Sequence, residues 1–470
     1  EYFCGLGADS RRQLNGDWHV LQPTVKEQSM PEETAEDVSP VQEKAAASPP
    51  SEISHLTDHL FRHEAGKLVS VLTSIFGIER LQLAEDVVQE ALVRALQTWP
   101  YYGVPKNPAA WLTQTAKNLA LDVIRREKSF RDKEPQIISF VEQWSQPEST
   151  DSVALEGELK DHRLRLMFAC CHPLVPQEAQ TALALKTLCG FSPAEIAKAF
   201  LTTEAAVAKR LTRAKQKIQE LQIGFEIPAG KELTPRLDAV LQTLYLLFNE
   251  GYKASAGENL VREELCCEAI RLATLLAEHP AGDRPRTHAL VALMLFNAAR
   301  LAARSDDAGN ILLLKDQDRS RWDKEMIAFG IAHFGRSAVG QELSEYHLQA
   351  GIAACHCMAA DYNSTDWPQI LSLYDQLVKI DDSPVVALNR AVAASQVHGP
   401  QAGIEAVEAI QHRRSLDSYY LLYAVLAEFE AQLKNFTAAA RHLKRAIELT
   451  GQNSERSLLS RRLRDCEESA

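Results

Sequence analysis

At 470 residues the chain is too long for one hydrophobic core and is expected to form about three domains. Its apolar share of 46% and charged share of 24% are those of a soluble globular protein, and its longest apolar runs, such as 291–296, are far too short to cross a bilayer. The net charge of −12, from 51 Lys and Arg against 63 Asp and Glu, would exclude nucleic-acid binding if it were spread evenly, so local clusters decide.

The N-terminus has no basic-then-apolar signal pattern, which predicts a cytoplasmic protein with no membrane attachment. Nine cysteines are too few and too odd in number for a disulfide framework. Three groups stand out: Cys170-Cys171-His172, Cys266-Cys267 and Cys355-His356-Cys357. Adjacent cysteines do not share a tetrahedral zinc easily, and each group falls in an apolar helical pattern, so core packing is expected and no metal. A redox role for Cys355 and Cys357 is the minor alternative.

Residues 1–54 combine Pro23, Pro31, Pro40, Pro49 and Pro50 with Glu, Ser and Ala, and read as a disordered acidic leader. From 55 to 128 the pattern is helical. One helix carries Asp86, Gln89 and Glu90 on its polar side, away from Val88, Leu92 and Ala95. An irregular aromatic loop, Trp99-Pro100-Tyr101-Tyr102-Gly103, is expected next. Asn107-Pro108 then opens a helix with Trp111, Leu112, Thr115, Ala116, Leu119, Val123 and Ile124 on one face. Gln114, Lys117, Asn118, Arg125 and Arg126 occupy the rest. Rings beside exposed amide and basic groups suit an unstacked base, which stacks on a ring and hydrogen-bonds through its edge. The plainer alternative makes Trp99 and Trp111 core residues, with Asp86 and Glu90 merely solvated.

An acidic linker is expected at 129–158, holding Asp132, Glu134, Glu142, Glu148, Asp151, Glu156 and Glu158 with Pro135 and Pro147. A second helical block fills 159–222. In it Ser192-Pro193-Ala194-Glu195 is a capping box with Pro at the first helical position. A tight connection at Leu201 and Thr202 leads to Thr203, a candidate N-cap. The following helix has Val207, Leu211, Ala214, Ile218 and Leu221 on one face. Lys209, Arg213 and Lys217 lie a turn apart on the other side, with Arg210 and Lys215 nearby. A short helix, a tight turn and a basic second helix form the helix-turn-helix pattern, whose second helix enters the major groove. An ordinary amphipathic pair with a solvated basic face is the alternative.

After Pro228 the chain is again helical, as a junction domain at 228–342 and a repeat array at 343–470. Almost nowhere does a period of two appear, except at 311–314, so the fold class is all-α. Phe429, Asn435, Phe436, Ala439, Leu443 and Ala446 sit at tetratricopeptide offsets, with Leu426 where the repeat prefers Gly. Weaker copies cover 367–380 and 385–410, and a polar closing helix is expected at 455–465. Such an array presents a concave surface to a protein partner. The acids and arginines of 316–323 lack a nucleophile–base pair or metal spacing. They are therefore expected to form buried salt bridges at the junction, with no catalytic residue and no cofactor.

Ala84-Glu85-Asp86-Val87-Val88-Gln89-Glu90-Ala91, with Trp111-Leu112 and Asn118-Leu119-Ala120-Leu121-Asp122-Val123-Ile124-Arg125-Arg126, resembles sigma domain 2. The stretch from Gly190 to Ile218 resembles sigma domain 4. Phe168-Ala169-Cys170-Cys171-His172-Pro173, Leu246-Leu247-Phe248-Asn249-Glu250-Gly251-Tyr252 and Asp316-Gln317-Asp318-Arg319-Ser320-Arg321-Trp322-Asp323 resemble signatures of one subgroup. These are the extracytoplasmic-function sigma factors with a C-terminal tetratricopeptide-like extension.

The resemblance implies core RNA polymerase and promoter DNA as partners. By position, Asp86, Gln89 and Glu90 match the surface that grips the polymerase. Asn118 and the loop 101–109 match the pocket for a flipped base of the −10 element, and Arg125 and Arg126 match backbone contacts there. Thr203, Glu204, Lys209, Arg210 and Arg213 fall in the −35 reader. Three prolines in the loop and an acid at Glu204 depart from the expected pattern and leave the promoter sequence open. The acidic linker would pass near channels built for nucleic acid, where it can mimic RNA, or else serve as a tether. The rival functions are a free-standing helix-turn-helix regulator with a tetratricopeptide sensor, and a scaffold or enzyme whose helix-turn-helix is structural. Met30 is the first methionine, which predicts that residues 1–29 do not belong to the native product. Mass spectrometry of the endogenous N-terminus tests this, and peptides from 1–29 would overturn it.

Overall fold

A computed structural model describes residues 64–126, 162–199, 202–252, 263–306, 310–411, 413–451 and 453–469. The expected leader at 1–54 and acidic linker at 129–158 lie outside the described residues. Among the described residues the regular elements are all helical, as the periodicity predicts, and the one β-feature is an isolated bridge between Ser305 and Ile311. The run at 311–314 is therefore no strand; Leu314 instead opens a 3-10 turn, Leu314–Asp316.

The first bundle is α1 (64–76), a 3-10 turn Ile78–Arg80, α2 (Leu81–Tyr102) and α3 (Pro108–Arg126). Alanines at 84, 91 and 95 let α3 approach α2, and Trp99 closes the end of the interface with its ring edge-on to Trp111 at 5.6 Å. The expected irregular loop at 99–103 is corrected here: α2 continues through Tyr102. Pro100 lies in the last turn, where it forfeits one intrahelical N–H but has only two helical residues after it, and Gly103 ends the helix at φ 81°, where its N–H donates to Trp99 O at 2.9 Å.

The second bundle is α4 (162–170), α5 (Gln177–Thr187), α6 (Pro193–Ala199) and α7 (Glu204–Glu220). It packs directly on the first. A methyl at Gly66 of α1 would lie 2.1 Å from the Leu188 carbonyl oxygen, so only a glycine permits this approach. Beyond it, α8 (Leu233–Tyr252) packs on both α5 and α9 (Glu263–Ala277), and α10 (Pro285–Ala298) packs on α11 (Lys324–Ser337) and α12 (Glu345–Met358). One apolar core runs without a break through Phe76, Phe168, Leu211, Phe248, Phe296 and Tyr346. At roughly 1.5–3 kcal/mol per large buried side chain, this shared burial dominates the stability. Charges are buried here too: Lys67 pairs with Glu64 at 2.6 Å, Arg271 pairs with Glu268, and burial pulls the Lys67 ammonium below its ordinary range.

The remaining helices are α13 (Trp367–Ile380), α14 (Pro384–His398), α15 (Pro400–Glu408), α16 (Tyr420–Gln432), α17 (Phe436–Leu449) and α18 (Asn453–Glu468). Each of α13, α14, α16 and α17 packs on its successor, and α18 turns Glu455, Leu459 and Cys466 inward while leaving the rest of its surface polar. Asp323, Asp366 and Ser383 cap α11, α13 and α14 by accepting from Met326 N, Gln369 N and Val385 N.

Three further expectations need correction. Cys170, Cys171 and Cys266 are buried as predicted, but Cys267 is exposed, because it falls on the outward side of α9. Cys355 and Cys357, expected in the core, are only half-buried, and burial raises both thiols, Cys357 to about 11, which disfavours the thiolate form. The acids of 316–323 form no ion pairs among the described residues. Asp323 caps α11, Asp318 accepts from Ser320 N, and Arg319 donates to the carbonyls of His356 and Ala359 at 2.5 and 2.7 Å.

Between α10 and α11 the buried rings of His288 and His333 meet, Nδ1 to Nδ1, at 3.2 Å. One Nδ1 donates and the other accepts, a pairing that two neutral rings satisfy, and burial resists a positive charge on His333. Burial, with Arg336 nearby, lowers its pKa to about 3. The unfolded chain therefore binds a proton below pH 6.5 that the folded chain refuses, and stability falls as the pH drops from about 6.5 towards 3. The loss is about 1.4 kcal/mol per pH unit for a histidine of this kind. Replacing His333 with Leu should flatten the pH dependence of urea unfolding by up to that slope. An unchanged slope would show that His333 is not held neutral.

Candidate nucleic-acid interface

The helix-turn-helix is built by local chemistry. Ser192 Oγ accepts from Glu195 N at 3.2 Å, while Glu195 Oε2 accepts from Ser192 N at 2.8 Å, so the predicted capping box opens α6 at Pro193. Thr203 caps α7 by accepting from Ala206 N at 3.2 Å. Val207, Leu211, Ala214 and Ile218 are buried, which turns Lys209 and Arg213 to solvent, with Thr203 and Glu204 exposed at the start of the helix. Leu221 departs from the expected apolar face: it is the C-cap residue and is exposed.

The basic face is narrower than the spacing predicts. Arg210 reaches Glu178 of α5 at 2.9 Å, an exposed pair of little energetic weight. Lys215 leaves the face altogether. Its ammonium donates to Gln82 Oε1 at 2.6 Å and to the Glu85 carboxylate, both on α2, and α7 also packs on the turn Ile78–Arg80. Glu85 is 4% exposed, and burial pushes its pKa up while Lys215 opposes the shift. Sequence reasoning missed this pair. Its one signal was Glu85 itself, a carboxylate on the same side of α2 as the buried Leu81 and Val88.

On α2, Asp86, Gln89 and Glu90 are exposed; Asp86 accepts from Gln82 Nε2 at 2.7 Å and Glu90 from Arg94 at 3.0 Å. On α3, Asn118 is exposed and accepts from Gln114 Nε2 at 3.1 Å. Arg125 is exposed in the last turn, and Arg126 is the final helical residue. Trp99 is buried and Trp111 half-buried, as the plainer reading held, whereas Tyr101 and Tyr102 are 84% and 87% exposed. The available ring faces beside α3 are thus tyrosines. Asn107 Oδ1 accepts from Ala110 N at 3.0 Å and fixes the start of α3 close to them.

Two conserved architectures coincide with these bundles. Residues 60–130 match sigma-70 region 2 and residues 165–218 match sigma-70 region 4; residues 236–338 match a family of unknown function, DUF6596. Over 385 residues the chain is 39% identical to the Uncharacterized protein R00370 of Rhizobium meliloti (strain 1021), covering 82% of this chain and 90% of that protein. The chain belongs to the family of that rhizobial protein. It is also 32% identical over 129 residues to the ECF RNA polymerase sigma factor SigL of Mycobacterium tuberculosis, which covers 27% of this chain and 68% of SigL. No solved structure matches the chain. Regions 2 and 4, in that order, together with the likeness to SigL, support a sigma-factor function.

Because Lys215 neutralises a buried carboxylate, replacing it with Ala should cost about 3 kcal/mol or more in chemical unfolding. Lys209→Ala and Arg213→Ala, on the open side of α7, should each cost under about half a kcal/mol. Restoring stability in Lys215→Ala by adding Glu85→Gln would locate the loss in the pair; equal costs for all three single substitutions would overturn it.

Proposed function

We propose that the chain is a promoter-specificity subunit that binds core RNA polymerase, recognises −10 and −35 elements and helps melt the first. It has no catalytic residues of its own on this reading. The observation that carries it is the exposure of Lys209 and Arg213 on a helix whose other side is wholly packed, with Asn118 exposed on the neighbouring bundle. Lys209, Arg210 and Arg213, with Thr203 and Glu204 at the helix start, read the −35 element from the major groove. Asn118 holds a base of the −10 element, Tyr101 and Tyr102 supply stacking faces, and Arg125 and Arg126 contact the backbone of the melted strand. Asp86, Gln89 and Glu90 form the polymerase-binding face of α2.

On the same reading 55–128 and 159–222 are the two sigma domains joined by the linker 129–158. Residues 228–342 are a helical junction, and 343–470 are a tetratricopeptide-like array for a protein partner. The alternation of α13 to α18 supports that last assignment.

In vitro transcription with purified core enzyme is the test. The protein should direct promoter-specific initiation, with affinity falling steeply as salt rises, and should bind promoter DNA only weakly alone. Replacing Asp86, Gln89 and Glu90 together with Ala should abolish co-purification with core polymerase at less than about half a kcal/mol per site in stability. Asn118→Ala should relax base preference at the −10 element by on the order of 1–3 kcal/mol of discrimination. Tight sequence-specific binding without polymerase would instead make the chain a free-standing regulator.

A further inference from the structure

A cavity of about 30 Å³ lies where α8, α10, α12 and α13 meet, walled by Tyr245, Phe248 and Tyr374 and by the polar side chains of Asn249, Asn297 and Arg300. None of its lining residues is acidic. Arg300 is 4% exposed, yet among the described residues its side chain makes no hydrogen bond and no ion pair; its guanidinium lies over the Trp322 ring, 5.4 Å from the centroid. Its neighbours are different. Arg304 donates to Tyr252 O and stacks on that ring at 4.0 Å, and Arg319 donates to two carbonyls. A buried guanidinium offers five N–H donors and cannot discard its charge, so a ring face alone leaves it poorly compensated. Asn249 Nδ2 is likewise buried, lines the cavity and has no acceptor among the described residues. Burial, with Arg300 and Arg319 nearby, holds His356, another lining residue, neutral, and no lining side chain carries a negative charge to offset Arg300.

We propose that this cavity binds the carboxylate of a small organic acid, with Arg300 as its ion partner and Asn249 as a second donor. A planar carboxylate accepts two parallel N–H bonds from a guanidinium, and the volume exceeds what one water needs without admitting a bulky anion. The aromatic walls face the apolar part of the acid. Occupancy ties α8, which packs on α5 behind the helix-turn-helix, to α12 and α13 at the start of the C-terminal helix pairs. The site does not depend on the sigma-factor reading and stands or falls separately.

The test is titration of the full chain with sodium acetate and sodium propionate at constant ionic strength, read by thermal shift and calorimetry, with sodium chloride and inorganic phosphate as comparison anions. Saturable stabilisation by the carboxylates, lost in Arg300→Met and weakened about tenfold in Asn249→Ala, is expected. Trp322 emission should change on saturation, and Trp322→Phe should abolish that change. Circular dichroism identifies a variant that fails to fold, in which case Asn249→Ala alone decides. No saturable effect would reduce the cavity to a hydrated void. Equal binding by Asn249→Ala and the parent, or an equal effect of chloride, would also overturn the proposal.

Discussion

The contact on which the arrangement of the two sigma regions depends is the one between Lys215 of α7 and the buried Glu85 of α2. A carboxylate that is 4% exposed is stable only beside a compensating charge; burial pushes its pKa up, and the Lys215 ammonium opposes that shift. The ammonium is itself held by Gln82, so the recognition helix is tied to the same turn of α2 that exposes Asp86. Separating the two bundles would have to rehydrate both ions and uncover the apolar surface around Ile78 and Leu81, both buried. On the proposed reading, polymerase approaches α2 beside this lock, so capture of the Asp86 face and release of α7 draw on the same few residues.

The extension is not an appendage to that body. Residues 179–185 of α5 are buried on every side, a pattern expected of a helix enclosed by neighbours. Part of that enclosure is α8, whose Arg236 reaches back to donate to Phe168 O at 2.9 Å. The core that starts at Ala65 therefore continues to Ala354, and removing the extension would uncover α5. The C-terminal half and α7 are joined through α5, which packs on both α7 and α8 within one apolar core.

Much of this was legible from periodicity and caps. Ser192 with Glu195, Thr203, Asn107 and the apolar stripe of α7 from Val207 to Ile218 are all local features, decided within one or two turns, and the structure has each where the residues predict it. What escaped sequence reading was the identity of partners across long separations. Lys215 scores as one more cation on a basic face until α2 is brought alongside, 130 residues away in sequence. Similarly, 316–323 has the composition of a salt-bridge cluster. Arg319 instead donates to carbonyls and lies over the Trp322 ring, because the chain ends of α10 and α12 converge there, while Arg321 is exposed. The run Trp99 to Tyr102 has the composition of a loop, since Pro100 supplies no N–H to the helix ladder, yet α2 carries on for two residues beyond it before Gly103 ends the helix.

The charge balance acquires a clearer meaning once these partners are known. Of the cations grouped on α7, Lys215 is consumed by Glu85, Arg210 is engaged by Glu178 and Lys217 lies 3.9 Å from Glu220, which leaves Lys209 and Arg213 as its clearly open pair. Against a net charge of −12, two side chains do not create a long-range attractive field for DNA. At physiological salt, however, charges separated by more than about 8 Å scarcely act on one another. On the proposed reading, the acidic remainder is therefore no obstacle once α7 is at the groove, and such a surface would discriminate at contact while a larger partner, whose own surface supplies the attraction, delivers it to DNA.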